Sequence, residues 1–101
     1  MLSSGLIQRI VAGHYALTCA ELLGPCRLPH IVRARHIAML LCLEMLGASL
    51  PEVGRWFHRD HTSVLHARER MRRRIAIDRA FAVQVEELRQ TIIAAGRHVA
   101  A

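Results

Sequence analysis

Ser49 to His66, SLPEVGRWFHRDHTSVLH, is the stretch on which the fold of the chain turns. Ser49-Leu50-Pro51-Glu52 joins three helix-start signals: an N-cap serine, a proline in the first turn, and a glutamate placed to close a capping box. Val53 and Phe57 then share one side of a short helix, while Arg55 and Trp56 point elsewhere. His58 is expected at the turn in a left-handed or bridging conformation, which histidine tolerates better than most non-glycine residues. Asp60 can cap the next helix, which should run to about Ile77. At about 100° per residue, Val64, Ala67, Met71 and Ile75 fall on one face of it, and Thr62, His66, Arg70 and Arg73 on the other. Ser63 sits at the edge of the polar face, and Arg68 must extend its stem along apolar surface. A brace, a tight turn and a second helix that is polar at its start make a helix-turn-helix.

Upstream, Leu6, Ile7, Ile10, Val11, His14 and Tyr15 recur at helical spacing, predicting an amphipathic helix over 4–15 that Gly13 weakens near its end. Thr18 and Glu21 form a T-x-x-E capping box opening a short helix with Leu22 and Leu23, stopped by Gly24-Pro25. A loop over 24–29 carries Arg27. Pro29 suits the first turn of a third helix with a wide apolar face, from Ile31 and Val32 to Met45 and Leu46, ended by Gly47. As the most apolar segment, it should be central. Downstream, Asp78 caps a last helix in which Phe81, Val85, Leu88 and Ile92 recur at core spacing and Glu86 and Glu87 face solvent; Gly96 should end it and the tail should fray. The expectation is one all-α domain of five to six helices over 1–101. Supporting helices and a basic loop occupy 1–48, the helix-turn-helix 49–77, and a packing helix 78–96.

Composition agrees with this organisation. A chain of 101 residues with 52% apolar content is the size of a single core, because segments below about 50 residues rarely fold alone. Only Tyr15, Trp56, Phe57 and Phe81 are aromatic, which disfavours strands. All 14 basic residues are arginine, opposed by 8 acids, for a net charge of +6. That excess suits a polyanionic partner, and guanidinium suits phosphate and guanine, although GC-rich coding also favours arginine. Cys19, Cys26 and Cys42 make no C-x-x-C pair, so neither a zinc ribbon nor a disulfide framework is expected. No run approaches the ~18 apolar residues of a membrane span, and no signal peptide is evident. A soluble, cytoplasmic monomer is expected.

The helix-turn-helix form assigns work to particular side chains. The start of the second helix meets base edges in the major groove. There Thr62, Ser63 and His66 offer hydroxyl and imidazole groups, and Asp60 could accept from a cytosine amino group, competing with its capping role. Arg33, Arg35 and His36 crowd positive charge near the start of the third helix, where the helix dipole disfavours cations, and so suggest an external anion. The alternative is a solvated, arginine-rich helix start. His58, His61 and His66 lie close in sequence but lack the cysteine or carboxylate that would complete a tetrahedral metal site. No glycine-rich phosphate loop, G-x-S-x-G or H-E-x-x-H is present, so no enzyme, nucleotide or cofactor is expected. Two other functions stay open: a protein-interaction module docking through Trp56 and the final helix, and nonspecific duplex binding through Arg70, Arg72, Arg73 and Arg74.

Arg59 to Ala67, RDHTSVLHA, closely resembles the RDHTTVLHA signature of the C-terminal duplex-DNA-binding domain of the bacterial replication initiator DnaA, domain IV. SLPEVG at 49–54 is similar to the family's SLPEIG, RARHIAML at 33–40 to its R-x-RQ-x-AM segment, and Arg27 occupies the place of a loop arginine. The resemblance covers residues 6–75. It implies a Trp-repressor-like helical fold that binds the DnaA box as a stand-alone domain, without the initiator's ATPase module, in regulation of replication initiation or transcription. By resemblance, Asp60, His61, Thr62 and Ser63 read the major groove with His66 nearby, and Arg27 enters the minor groove. Phosphates would be held by Arg35 and His36, with Arg33 beside them, and by Leu50, Pro51 and Arg59. Two departures stand out. Only His58 separates Phe57 from Arg59, where relatives have a longer step containing glycine, and Ser63 replaces a threonine.

Overall fold

The computed structural model describes the backbone of residues 1–100 and the side chains of residues 1–98. Among them the chain forms six helices: α1 (Ser4–His14), α2 (Cys19–Leu23), α3 (Pro29–Leu46), α4 (Leu50–Phe57), α5 (His61–Ile77) and α6 (Arg79–Ala100).

Most boundaries follow from side-chain chemistry. Both capping boxes form: Thr18 Oγ1 accepts from the Glu21 amide at 3.0 Å while Glu21 Oε1 accepts from the Thr18 amide at 2.9 Å, and Ser49 and Glu52 repeat the exchange at 3.2 and 3.0 Å. Pro29 stands in the first turn of α3, and Gly47 closes that helix in the left-handed conformation at φ 63°. The Asp60 carboxylate accepts from the Ser63 amide at 2.8 Å and the Asp78 carboxylate from the Phe81 amide at 3.0 Å. Each bond satisfies one of the amides that a helix start leaves without a partner.

Helix α3 is central: it packs on α1, α2, α4 and α5, and Ile37, Ala38, Leu40, Leu41 and Cys42 are wholly buried on it. A single core takes residues from every helix, with Ile7 and Val11 from α1, Leu22 from α2, Val53 and Phe57 from α4, Val64, Ala67 and Met71 from α5, and Phe81, Val85, Leu88 and Ile92 from α6. The radius of gyration, 12.6 Å, is that of one domain, about 13 Å for 100 residues. Arg89 on α6 and Arg72 on α5 both reach Glu44 on α3, at 3.0 and 3.6 Å, tying the lid helix to the core helix.

One expectation is corrected. Gly96 does not end α6, which continues to Ala100; Ala101, in the tail expected to fray, lies outside the described residues. Gly96 is buried because the N-terminal segment crosses it. A Cβ there would lie 2.6 Å from Leu2 Cδ2, and the Gly96 carbonyl accepts from the Met1 amine at 2.6 Å. Helix α1 ends at His14, just past Gly13; beyond it Ala16 takes φ 56°, and the Leu17 amide bonds back to the Ala12 carbonyl at 2.8 Å.

Candidate nucleic-acid interface

The turn between α4 and α5 is built from two residues with opposite needs. His58 takes the left-handed conformation, φ 56° and ψ 42°, which lets the Arg59 amide bond back to the Gly54 carbonyl at 2.8 Å. Gly54 lies directly beneath that reversal. A Cβ at Gly54 would stand 2.5 Å from the Arg59 carbonyl oxygen, so only glycine allows α4 to approach the start of α5 this closely. The single-residue step is therefore a tight helix-ending turn that sets α5 against α4.

With Val64, Ala67 and Met71 in the core, the opposite face of α5 is outward. Asp60, His61, Thr62, Ser63 and His66 are all exposed over its cap and first two turns. Asp60 accepts from the Ser63 amide, which holds its carboxyl below the usual aspartate range. Farther along, Arg70 and Arg73 share an open groove with His66 and Glu69. The basic run divides here. Arg72 pairs with Glu44, whereas Arg74 lies 3.7 Å from Asp78 and stacks 4.3 Å over the Phe81 ring. Arg70 and Arg73 continue the exposed face of α5, whereas Arg72 and Arg74 are paired with carboxylates.

The residues grouped as anion-holding do not form one cluster. Arg35 is only 4% exposed. Its guanidinium donates to the carbonyls of Leu22 at 2.7 Å, Gly24 at 2.9 Å and Cys26 at 3.0 Å. It is a strut for the α2–α3 loop, and burial, aided by the nearby Arg59 charge, pulls its pKa down. Arg59 does similar work from the other side. It donates to the carbonyls of Gly24 at 2.7 Å, Phe57 at 2.9 Å, His58 at 3.3 Å and Leu23 at 3.4 Å. The two guanidinia thus clamp the loop to the turn, meeting at the Gly24 carbonyl.

His36 is half-buried, and its pKa is lowered to about 4, first by burial and then by Arg70, Arg35 and Arg59; it is neutral at physiological pH and offers no free charge. Arg33 is exposed but lines a groove with Arg74, Asp78, Phe81 and Gln84, away from the start of α5. Of the three groups near the start of α3, Arg35 is the one answered by the chain's own carbonyls.

Arg27 is exposed on the strutted loop. Leu50 is half-buried against the core, and Pro51 is exposed in a groove with Gly54, Arg55, His58, Arg59, Asp60 and His61. Arg55 and His58 were not singled out as site residues. Arg55 could have been found from the helix period, which turns it away from Val53 and Phe57, but nothing local to His58 marks it beyond its turn role. His58, His61 and His66 do not gather with other ligands, and among the described residues no group of three metal-ligating side chains assembles. No helix among them is long and apolar enough to cross a membrane.

A capped brace, a glycine-dependent turn and an outward polar helix start on a helical core define a helix-turn-helix DNA-binding domain. The family model for the bacterial dnaA protein helix-turn-helix matches residues 5–71, and the chain belongs to that family. Curated relatives named chromosomal replication initiator protein DnaA are 41% identical over 90% of this chain in Latilactobacillus sakei, 42% over 85% in Ruegeria sp. TM1040, and 37% over 96% in Mycobacteroides abscessus. The aligned part is only 20%, 18% and 20% of those proteins' own lengths.

Proposed function

We propose that the chain binds duplex DNA at a DnaA-box-type site, with no ATPase activity of its own, and regulates replication initiation or transcription at the nucleoid. The carrying observation is the start of α5, where Asp60, His61, Thr62 and Ser63 stand exposed in consecutive positions while Val64, Ala67 and Met71 fix the helix to the core. Thr62 and Ser63 can donate to or accept from base edges, and the Thr62 methyl can meet a thymine methyl. Arg27, exposed on the clamped loop, would enter an adjacent minor groove, where a lone guanidinium is attracted by the negative potential. Asp60 keeps one carboxylate oxygen on the Ser63 amide, leaving the other for a base.

A monomer suffices for one such site. Titration of labelled duplex carrying a DnaA box, against a scrambled duplex at two salt concentrations, tests this function. The box should bind more tightly, and neutralising about four phosphates gives a slope of log K on log salt near −4. Arg27→Ala and Thr62→Ala should each weaken the box complex about tenfold, while Gln90→Ala, on the far side of α6, should not. Equal affinity for both duplexes would remove sequence specificity from the proposal.

A further inference from the structure

Between the α2–α3 loop and the α4–α5 turn lies an open groove of about 560 Å³, bordered by Pro25, Arg27, Arg35, His58 and Arg59. A second groove of about 420 Å³, bordered by Pro51, Arg55, Asp60 and His61, lies on the other side of the turn. His58 is exposed and borders both. Its imidazole makes no hydrogen bond among the described residues, although its backbone occupies a left-handed position that glycine would take with less strain. The fold thus holds a larger side chain where it needs none.

The position of that side chain between the two candidate reading elements gives it a use. In B-DNA one sugar-phosphate strand separates the minor groove from the adjacent major groove. A domain that inserts Arg27 into one and the start of α5 into the other must straddle that strand. Arg35 and Arg59 supply positive potential to the intervening groove, but their N–H groups are directed to carbonyls. On its turn-side rim, the exposed donor is His58.

We propose that His58 is a phosphate-contacting residue and that its groove seats the sugar-phosphate strand between the two DNA grooves, an inference that rests on the duplex-binding function proposed above. The charged or titratable groups bordering it are Arg27 from the loop, Arg35 from α3, Arg55 from α4, Arg59 and Asp60 from the turn, and His61 from α5. A phosphodiester beside an imidazole favours the protonated form, so binding takes up a proton at His58 and tightens as pH falls toward 6.

The test compares the intact chain with His58→Gly and His58→Asn, titrating box duplex at about pH 6 and pH 8 over a range of salt, beside thermal melts. Glycine relieves the turn, so His58→Gly should melt no lower than the parent, yet bind about tenfold more weakly at the lower pH and less weakly at the higher, with a salt slope shallower by about one at the lower pH. His58→Asn tolerates the turn and keeps an N–H donor without the charge, so it should lose the pH-dependent part of the difference. Because His61 and His66 remain in every variant, only the change between variants reports on His58. If the parent binds box duplex but both variants match it at both pH values and keep its slope, the His58 contact is overturned while duplex binding stands. If the parent binds no duplex, both fall.

Discussion

Replacing Arg35 with methionine separates a strut from a phosphate contact, because the two roles predict opposite patterns of damage. The side chain is 4% exposed and donates to the Leu22, Gly24 and Cys26 carbonyls. Methionine fills much of the same volume but donates nothing. The Gly24 carbonyl keeps Arg59 at 2.7 Å, so two acceptors lose their charged donor. At about 1.5–3 kcal/mol for each such bond, the gross loss is about 3–6 kcal/mol. Removing a buried cation from beside Arg59 returns part of it, leaving a net destabilisation of about 2–4 kcal/mol. For a domain of this size that is a melting-temperature drop of about 10–20 °C. Arg35→Lys should fall nearly as far, since one ammonium cannot match a planar fork directed at three carbonyls. Far-UV circular dichroism melts give the stability, and box-duplex titrations below the melting range give affinity and salt slope. The strut predicts a large melting shift with a salt slope shallower by well under one, because a nearby charge but no direct phosphate contact has been removed. A variant that melts within about 2 °C of the parent while its salt slope becomes shallower by about one would refute the reasoning and return Arg35 to the DNA backbone.

Other perturbations report on other parts of the structure. Gly54→Ala would drive a Cβ to 2.5 Å from the Arg59 carbonyl oxygen, where neither partner is a flexible side-chain end; a loss of about 2–4 kcal/mol is expected in denaturant unfolding. His36 has a folded pKa of about 4 against about 6.5 unfolded, so between those values the unfolded chain binds the extra proton. Stability should therefore fall as pH drops through that window, and His36→Gln should flatten that part of the curve. Asp60 contributes with the sign usual for a carboxylate: its lowered folded pKa gives stability that is present above the unfolded value and lost as pH falls through the folded one, a component that Asp60→Asn removes from acid-unfolding curves. Burial pushes the Cys42 thiol up to about 12, whereas Cys19 and Cys26 are partly exposed. Native alkylation followed by mass spectrometry should label those two and spare Cys42 until the chain unfolds.

The sequence made helix starts legible because each is a local event. Thr18 with Glu21, Ser49 with Glu52, Asp60 with Ser63 and Asp78 with Phe81 are contacts between residues three apart, and all four occur. The outward face of α5 was legible for the same reason, since helical period alone separates Thr62 and His66 from Val64 and Ala67. The missed features depend on what another segment brings to the same place. Gly96 reads as a helix end until Leu2 is found against it, and Arg35 and Arg59 read as surface cations until the Leu22–Cys26 carbonyls are found facing them. A short loop that reverses the chain between α2 and α3 leaves several carbonyls without helical partners, and a guanidinium is the side chain best shaped to gather them. The arginine excess thus has two uses that composition cannot separate. Arg35 and Arg59 hold the loop in shape, whereas Arg27, on the same loop, stays exposed. Clamp arginines should therefore trade poorly for lysine even where overall charge is kept, while the exposed Arg70 and Arg73 should accept lysine with little change in nonspecific affinity.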